Sequence, residues 1–182
     1  MMTEQVVLQI VFEEWRQLAA SEKAQVEEVD TLAFKTQPQE AAIAWVEWAS
    51  PTALFLGKLD GRVVSIVGIL KRVIKVGKES VRVAGVGGVA THPDFRCRGY
   101  ARQLVDAAGA WIKQQSGCSF GLLFCSIEKL VYYGKSGWIS VTNPLYIEQK
   151  GERLPLNSPK MVLPVGDAIW PMGEVDIQGK PW

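Results

Sequence analysis

The first half of the chain carries the alternation of apolar and polar positions that is typical of β-strands. This alternation predicts strands over residues 5–12, 52–58, 62–76 and 80–91. Asp60-Gly61 separates the second run from the third, and glycine accepts the positive φ of a tight turn at little cost. The last three runs follow one another across short turns, so they predict an antiparallel meander.

Two helices are predicted in the same half from apolar positions that recur about every 3.6 residues. Ser21 is the expected N-cap of the first helix, with Glu22 in its first turn, where an acidic side chain favours the helix dipole. The apolar stripe of this helix comprises Val26, Val29, Leu32 and Ala33. A shorter helix is expected over residues 39–48.

From residue 100 onward, helices alternate with strands. The pattern predicts a helix over residues 100–115, a strand over 119–125 and a further helix over 127–135 that Ser126 caps. Because the strand at 80–91 precedes this series, the order is strand, helix, strand, helix. Such an order predicts a βαβα unit whose two strands are parallel neighbours.

These elements predict one α/β domain over residues 1–182 with a mixed, largely antiparallel central sheet. The core spans about residues 5–140, and residues 141–182 form a C-terminal strand and tail. The tail holds six of the nine prolines and one predicted strand at 161–165, so we expect it to be rich in loops. Trp170 and Trp182 are expected to anchor it.

Composition disfavours several classes of protein. The chain is 48% hydrophobic and 21% charged, which is typical of a folded globular protein. Its net charge of +1 gives no general attraction to nucleic acid or anionic membrane, so neither is expected as a partner. The sequence lacks a membrane-spanning apolar run and a basic, apolar leader. Three cysteines without a CxxC pair, beside one histidine, predict no metal site and reduced thiols in the cytoplasm.

A candidate anion site lies where the strand at 80–91 passes through a short basic loop into a helix. Free N–H groups and the helix dipole favour an anion at such a helix start. Gly99 lets the main chain approach a phosphate closely, and Ala101 obstructs it little. Arg96, Arg98 and Arg102 are expected to add positive charge at the same place.

These residues resemble the signature of the GNAT acyltransferase superfamily, in which Arg96, Gly99 and Ala101 hold the matching positions. The strand Val89-Ala90-Thr91-His92-Pro93 before the loop is similar to that of the family, as is Tyr132-Tyr133-Gly134-Lys135-Ser136-Gly137-Trp138 after it. The resemblance extends over about residues 52–140. It implies the acyl-CoA N-acyltransferase fold, with acetyl-CoA as co-substrate. The pyrophosphate would then be held by Arg96, Cys97, Arg98, Gly99, Tyr100, Ala101 and Arg102.

The resemblance also implies roles in catalysis. The main-chain N–H of Val89 would polarise the thioester carbonyl, and Val89 and Thr91 would pair with the pantetheine arm. Tyr133 would be the general acid that protonates the leaving thiolate. This arrangement requires the sheet to separate after its fourth strand.

Within the superfamily, the chain resembles the aminoglycoside 2'-N-acetyltransferase branch in its length, Ser126, Gly137-Trp138 and terminal tryptophan. That resemblance implies that Ser126 contacts the cofactor and that Asp176 and Trp182 contact the acceptor. Lys180 and Gly87 stand where acidic residues would help to bind a polycationic sugar. These departures disfavour a highly cationic antibiotic as the acceptor.

Several alternatives stay open at the level of sequence. The general base is either His92, a relay of water or the terminal carboxylate. The acceptor is expected to be a small amine such as an amino sugar; a protein N-acetyltransferase and a non-catalytic acyl-CoA-binding module are the alternatives. A dinucleotide site at the Gly-x-Gly-x-x-Ala string from Gly85 is disfavoured, because a helix does not begin there. A homodimer is also left open.

Overall fold

A mixed β-sheet runs through the centre of the molecule in the computed structural model, which describes residues 7–34 and 43–182. The strands in these residues are β1 (Gln9–Glu14), β2 (Ala53–Leu59), β3 (Arg62–Val76), β4 (Glu79–Thr91), β5 (Phe120–Phe124), β6 (Ile139–Val141), β7 (Leu145–Gln149), β8 (Glu152–Pro155), β9 (Lys160–Pro164) and β10 (Val175–Asp176). Their order is β6-β9-β5-β4-β3-β10-β7-β8. In addition, β2 pairs with the first half of β3, and β1 pairs with the other edge of β2.

β4 and β5 pair in parallel, from Val83 opposite Phe120 to Val86 opposite Leu123. The four strands from β1 to β4 are antiparallel neighbours, as are β5 and β9. The predicted meander, βαβα unit and mixed α/β sheet are therefore confirmed.

Three helices flank the sheet in the described residues: α1 (Ala20–Phe34), α2 (Tyr100–Gln114) and α3 (Leu130–Gly134). Short 3-10 turns precede them or lie beside them at Trp15–Gln17, Pro93–Phe95 and Ile127–Lys129. None of the helices in this part of the chain is long and apolar enough to span a membrane.

The sheet buries both of its faces, and its strands alternate between them. On the first face, called the α2 face, α2 buries Leu104, Val105, Ala108 and Ile112. The opposite face is covered by α1 over β2, the first half of β3 and the end of β4. Its remaining part, called the tail face, is covered by the C-terminal segment through Leu145, Ile147, Val175, Ile177 and Trp182. The two faces therefore carry separate clusters of apolar side chains.

Two sequence-based expectations for helices in the first half of the chain differ from the structure in the described residues. α1 begins at Ala20, so Ser21 is not its N-cap; the N–H of Ala19 instead donates to Glu22 Oε2 at 3.1 Å. Of the helix expected over 39–48, residues 39–42 lie outside the described residues. Residues 43–45 form a turn, and residues 46–48 have no regular structure. The side chain of Gln149 holds the main chain of Glu47 there, because it accepts from its N–H (2.9 Å) and donates to its carbonyl (3.0 Å).

The C-terminal tail contains more strand than the one segment that was predicted. β9 confirms the strand predicted over 161–165, although it begins and ends one residue earlier. β7, β8 and β10 are additional strands. These strands are two to five residues long, which is too short for a clear alternation. They form because β10 and β7 extend the sheet edge at the far end of β3.

Candidate active site

β4 and β5 separate near the middle of the sheet. Their pairing ends at Val86 and Leu123, yet β4 continues to Thr91 and stays paired with β3 as far as Ser65. Beyond Val86, the edge of β4 that faces β5 has no strand partner among the described residues. The sheet therefore opens into a cleft, which is the separation that the resemblance required.

A β-bulge on β4 lies beside this cleft. Gly88 and Val89 together lie opposite Val67 in the register with β3. Gly88 has a φ of +57°, a left-handed conformation that glycine adopts without strain. The extra residue reverses the alternation of the strand, so Val89 packs on the α2 face although Gly87 lies on the tail face. The main chain around Val89 is thus outside the regular ladder.

The loop after β4 presents a series of main-chain N–H groups. Gln103 donates to the Gly99 carbonyl, which is the first bond of α2, but the main-chain N–H groups of residues 97–102 have no acceptor within the described part of the chain. Cys97 and Gly99 are both left-handed, with φ values of 61° and 77°. Such residues turn nearby N–H groups toward one side, as in anion-binding nests. The loop can therefore bind an anion through its backbone, next to the positive end of α2.

Two of the three arginines that were expected at this site lie on the loop and its flank. Arg96 Nε donates to the Thr91 carbonyl at 3.3 Å, and the Arg98 guanidinium lies 5.4 Å from the centre of the Phe95 ring. A groove of about 510 Å³ borders the loop and is lined in part by Arg62, Arg98 and Tyr100. Both arginines keep exposed cationic groups close to the unbonded amides.

The side chain of Arg102 does not serve the anion site in the structure. Its Nη2 donates to the Tyr132 carbonyl at 2.7 Å and its Nη1 to Ser136 Oγ at 3.1 Å. The guanidinium also lies 4.5 Å from the centre of the Tyr132 ring. These bonds fix the first turn of α2 to α3, so only the main chain of Arg102 remains available at the loop.

We expect Arg102→Ala to lower the free energy of unfolding by about 2 kcal/mol, because charge-assisted hydrogen bonds contribute about 1.5–3 kcal/mol. Thermal unfolding measures the loss. Ser136→Ala is the matched control, because it removes one of the two bonds and leaves the Tyr132 carbonyl paired. An equal loss in both variants would show that the bond to Tyr132 contributes nothing.

Tyr133 lies in α3 and packs into the cluster on the α2 face. It is 8% exposed, and its hydroxyl has no hydrogen-bond partner among the described residues. The hydroxyl oxygen is not fully enclosed by protein, so it reaches accessible space. Burial, with a smaller effect of Tyr132, raises the pKa of the phenol well above its ordinary value. The hydroxyl is therefore protonated and free to donate at neutral pH.

Cys125 follows β5 directly, close to Tyr133 at the mouth of the cleft. Burial raises the pKa of its thiol to about 11. A thiol that keeps its proton is a weak nucleophile at neutral pH. Ser126, the next residue, is half-buried and begins the turn Ile127–Lys129. The cleft thus contains a neutral thiol and a neutral phenol rather than a reactive thiolate.

Trp182 covers the tail face of the separating strands. Its indole Nε1 donates to the Leu122 carbonyl of β5 at 3.2 Å, and its ring lies over Gly85 of β4. A Cβ at residue 85 would lie 2.1 Å from the indole, and one at residue 87 would lie 2.6 Å from the carbonyl carbon of Trp182. Both glycines are therefore needed for the tryptophan to lie flat on β4.

The segment before Trp182 is held by contacts on two sides. The Pro181 carbonyl accepts from the N–H of Ala49 at 2.6 Å, and the Lys180 carbonyl accepts from Arg72 at 2.8 Å. Lys180 Nζ pairs with Glu47 at 2.7 Å. The tail is thus a fixed part of the wall below the cleft.

Two other candidate residues lie away from this cluster. Asp176 pairs with Lys75 of β3, at the end of the strand remote from the cleft, and its carboxylate binds Arg153 at 2.7 Å. His92 is buried toward α1, where its ring nitrogens face Glu28 and the N–H of Asp94. The structure therefore places Val89, the loop and Tyr133 at the cleft and Trp182 on the tail face of the same strands, whereas Asp176 and the ring of His92 lie away from it.

Residues 14–140 match the family model of the acetyltransferase (GNAT) domain, which is more than half of the 182 residues. The chain belongs to the GNAT family. A search of curated proteins by sequence gives no match. The aminoglycoside 2'-N-acetyltransferase branch is not among these findings.

Solved structures of GNAT proteins share the fold. The GNAT family N-acetyltransferase YhbS from Escherichia coli, solved in complex with CoA, is 18% identical with a TM-score of 0.68, over 97% of this chain and 93% of that chain. A GNAT family acetyltransferase from Brucella melitensis, in complex with acetyl-CoA, is 16% identical with a TM-score of 0.61, over 92% and 94%. Escherichia coli ElaA is 16% identical with a TM-score of 0.60, over 86% and 99%.

Sequence reasoning missed two cationic residues near the cleft of this GNAT domain. Lys160 begins β9 and is 6% exposed, whereas the predicted strand began at Met161. Arg72 lies with its guanidinium 5.4 Å from the centre of the Trp182 ring. For Lys160, the available signal was its position two residues before the apolar Val162, because residues two apart in a strand lie on the same face. The second depends on where the tail returns, for which the sequence holds no local signal.

Proposed function

We propose that this GNAT domain transfers an acetyl group from acetyl-CoA to the amine of a small molecule by direct attack on the thioester. The observation that carries the proposal is the proximity of the unbonded amides at residues 97–102 to the opened edge of β4. The unbonded amides can bind a pyrophosphate, and the opened edge of β4 can bind an extended pantetheine arm. CoA and acetyl-CoA in two of the similar structures support this choice of co-substrate.

In this proposal the pyrophosphate accepts from the main-chain N–H groups between Cys97 and Arg102, with Arg96 and Arg98 adding charge. The pantetheine arm follows the edge of β4 past Val89 and Thr91. Ser126 lies across the cleft at the end of β5 and contacts the same arm. The bulge supports the role of Val89, since its main chain is not part of the regular ladder with β3.

The reaction joins the acceptor nitrogen to the acetyl carbonyl carbon and breaks the carbon–sulfur bond. The N–H of Val89 donates to the carbonyl oxygen as negative charge develops on it, an effect worth a few kcal/mol in comparable sites. Tyr133 gives its proton to the departing thiolate and regains one from solvent. The amine loses its proton to water. The neutral thiol of Cys125 favours this direct transfer over an acyl-enzyme intermediate.

The acceptor approaches from the tail face, where Trp182 forms part of its site. This assignment is supported by the position of Trp182 against Gly85 and Gly87, the β4 residues just before the bulge. A screen of acetyl-CoA turnover across amino acids, amino sugars, polyamines and peptides tests the proposal. Turnover of small amines supports it, turnover of peptides alone favours a protein acceptor, and binding of acetyl-CoA without any turnover favours a non-catalytic module.

Gly99→Glu is expected to weaken acetyl-CoA binding by about 100-fold or more, equivalent to ~2.7 kcal/mol. Its side chain would enter the open space at the anion site and oppose the pyrophosphate with like charge. Gly117→Glu is the matched control, since Gly117 is also left-handed, exposed and at the other end of α2. Calorimetry with acetyl-CoA measures both. Equal affinity in the two variants would remove the loop from the cofactor site.

A further inference from the structure

Lys160 lies on the tail face, level with the opening of the cleft. It pairs with Phe124 of β5 in the register of β9. Residues directly opposite in an antiparallel pair project to the same face. The ring of Phe124 in turn lies 5.2 Å from the ring of Trp182. Lys160 is thus beside the tryptophan, at the level where β4 and β5 have just separated.

The ammonium of Lys160 has no counter-ion in the described part of the chain. The residue is 6% exposed, and its side chain forms neither an ion pair nor a hydrogen bond there. The Nζ atom of Lys160 is not fully enclosed by protein, so it reaches accessible space. Burial lowers the pKa of the amine, which is the direction expected for a desolvated cation without a partner. Such a group is stabilised by an anion that enters the same space.

Arg72 places a second positive charge on the other side of Trp182. It donates to the carbonyls of Ile177 (3.3 Å) and Lys180 (2.8 Å) and forms no ion pair with a carboxylate in the described residues. Burial lowers its pKa, and Glu148 acts in the opposite sense. By contrast, Lys180 at the rim is fully paired with Glu47. Lys160 and Arg72 therefore place two cationic side chains without an ion-pair partner in the described residues on the tail face beside the cleft.

We infer that the acceptor of this enzyme carries an anionic group, a carboxylate or a phosphate, as well as its amine, and that Lys160 binds that group. The inference rests on the proposed function and narrows its acceptor to small, amine-bearing acids. The amine is directed toward the thioester while the anion pairs with the ammonium, and Arg72 strengthens the attraction. A polycationic amino sugar is disfavoured by the same charges.

The test compares amines that differ only in the anionic group. Free amino acids are set against their carboxamides, and O-phosphoethanolamine against ethanolamine, with kcat/KM measured for each at fixed acetyl-CoA. The wild-type protein is expected to prefer an anionic member by at least about 30-fold. The two pairs separate a carboxylate acceptor from a phosphate acceptor.

Lys160→Met is expected to abolish this preference and leave the affinity for acetyl-CoA unchanged. Methionine suits the apolar surroundings, because replacing a buried charge with an apolar residue is often neutral for stability. Lys180→Met removes an exposed lysine from the same face and is expected to retain the preference. A preference that survives Lys160→Met, or a wild-type protein that takes the neutral amines equally well, overturns the inference.

A binding experiment separates failure of this inference from failure of the proposed function. Calorimetry of N-acetylglycine and N-acetylglycinamide with the CoA-saturated protein requires no turnover. Tighter binding of the acid, lost in Lys160→Met, supports an anion site even when the panel lacks the true acceptor. Equal binding of the two compounds, together with no preference for O-phosphoethanolamine over ethanolamine, overturns the inference, whereas failure to bind CoA overturns the proposed function.

Discussion

Gly85→Ala is expected to lower the free energy of unfolding by about 3 kcal/mol and to abolish acceptor turnover. The added Cβ would lie 2.1 Å from the indole of Trp182, so the whole ring must leave its site on β4. Expulsion of a buried aromatic residue costs about 3–5 kcal/mol, part of which local rearrangement recovers. For a chain of this size, the midpoint temperature of thermal unfolding should fall by about 10 °C.

Gly134→Ala is the control for this prediction, because a Cβ there meets nothing within 4 Å and the backbone is helical. A double-mutant cycle gives the sharper test. In a Trp182→Ala background the clash is absent, and Gly85→Ala is expected to cost less than about 0.5 kcal/mol more. Additive losses in the double variant would show that the two residues do not meet.

Tyr133→Phe is expected to lower kcat by about 100-fold, the lower range for removal of a general acid or base. The KM for acetyl-CoA should change little, since the hydroxyl is assigned only to the leaving thiolate. Stability should also change little, because that hydroxyl has no partner among the described residues. Steady-state kinetics and thermal unfolding of the same preparation measure these effects.

Tyr132→Phe is the matched control, since it deletes the same atom from the neighbouring residue and keeps the carbonyl that Arg102 binds. The pH dependence adds a second test. Because the pKa of Tyr133 is raised from 10.0, its acid form persists through the neutral and mildly alkaline range. We therefore expect kcat to show no fall below about pH 10 from its deprotonation. Retention of full activity in Tyr133→Phe would exclude the residue from the chemistry.

The local parts of the site were predictable because a few adjacent residues determine them. Gly99 at a helix start after a basic loop predicted the unbonded amides, and the structure contains them. The role of Tyr133 as the general acid stays a prediction. The structure buries Tyr133 on the α2 face and holds Tyr132 half-buried beneath Arg102.

The parts that depend on long-range contacts were not predictable in the same way. Arg102 reads as one more charge at a basic helix start, and only the position of α3 turns it toward Tyr132. Asp176 and Trp182 are six residues apart in the tail, yet β10 holds one at the remote end of β3 while the other reaches β4. Lys160 reads as a polar strand end until the register with Phe124 buries it.

The bulge at Gly88 has a consequence for how β4 can vary. Deleting Gly88 would restore a plain two-residue alternation, because Val89 alone would then lie opposite Val67. Val89 would keep its side chain on the α2 face and Ala90 would keep its buried place beneath α1, but the main chain of Val89 would return to the regular ladder with β3. The extra residue therefore changes the course of the main chain beside the cleft and leaves the faces of the flanking side chains as they are.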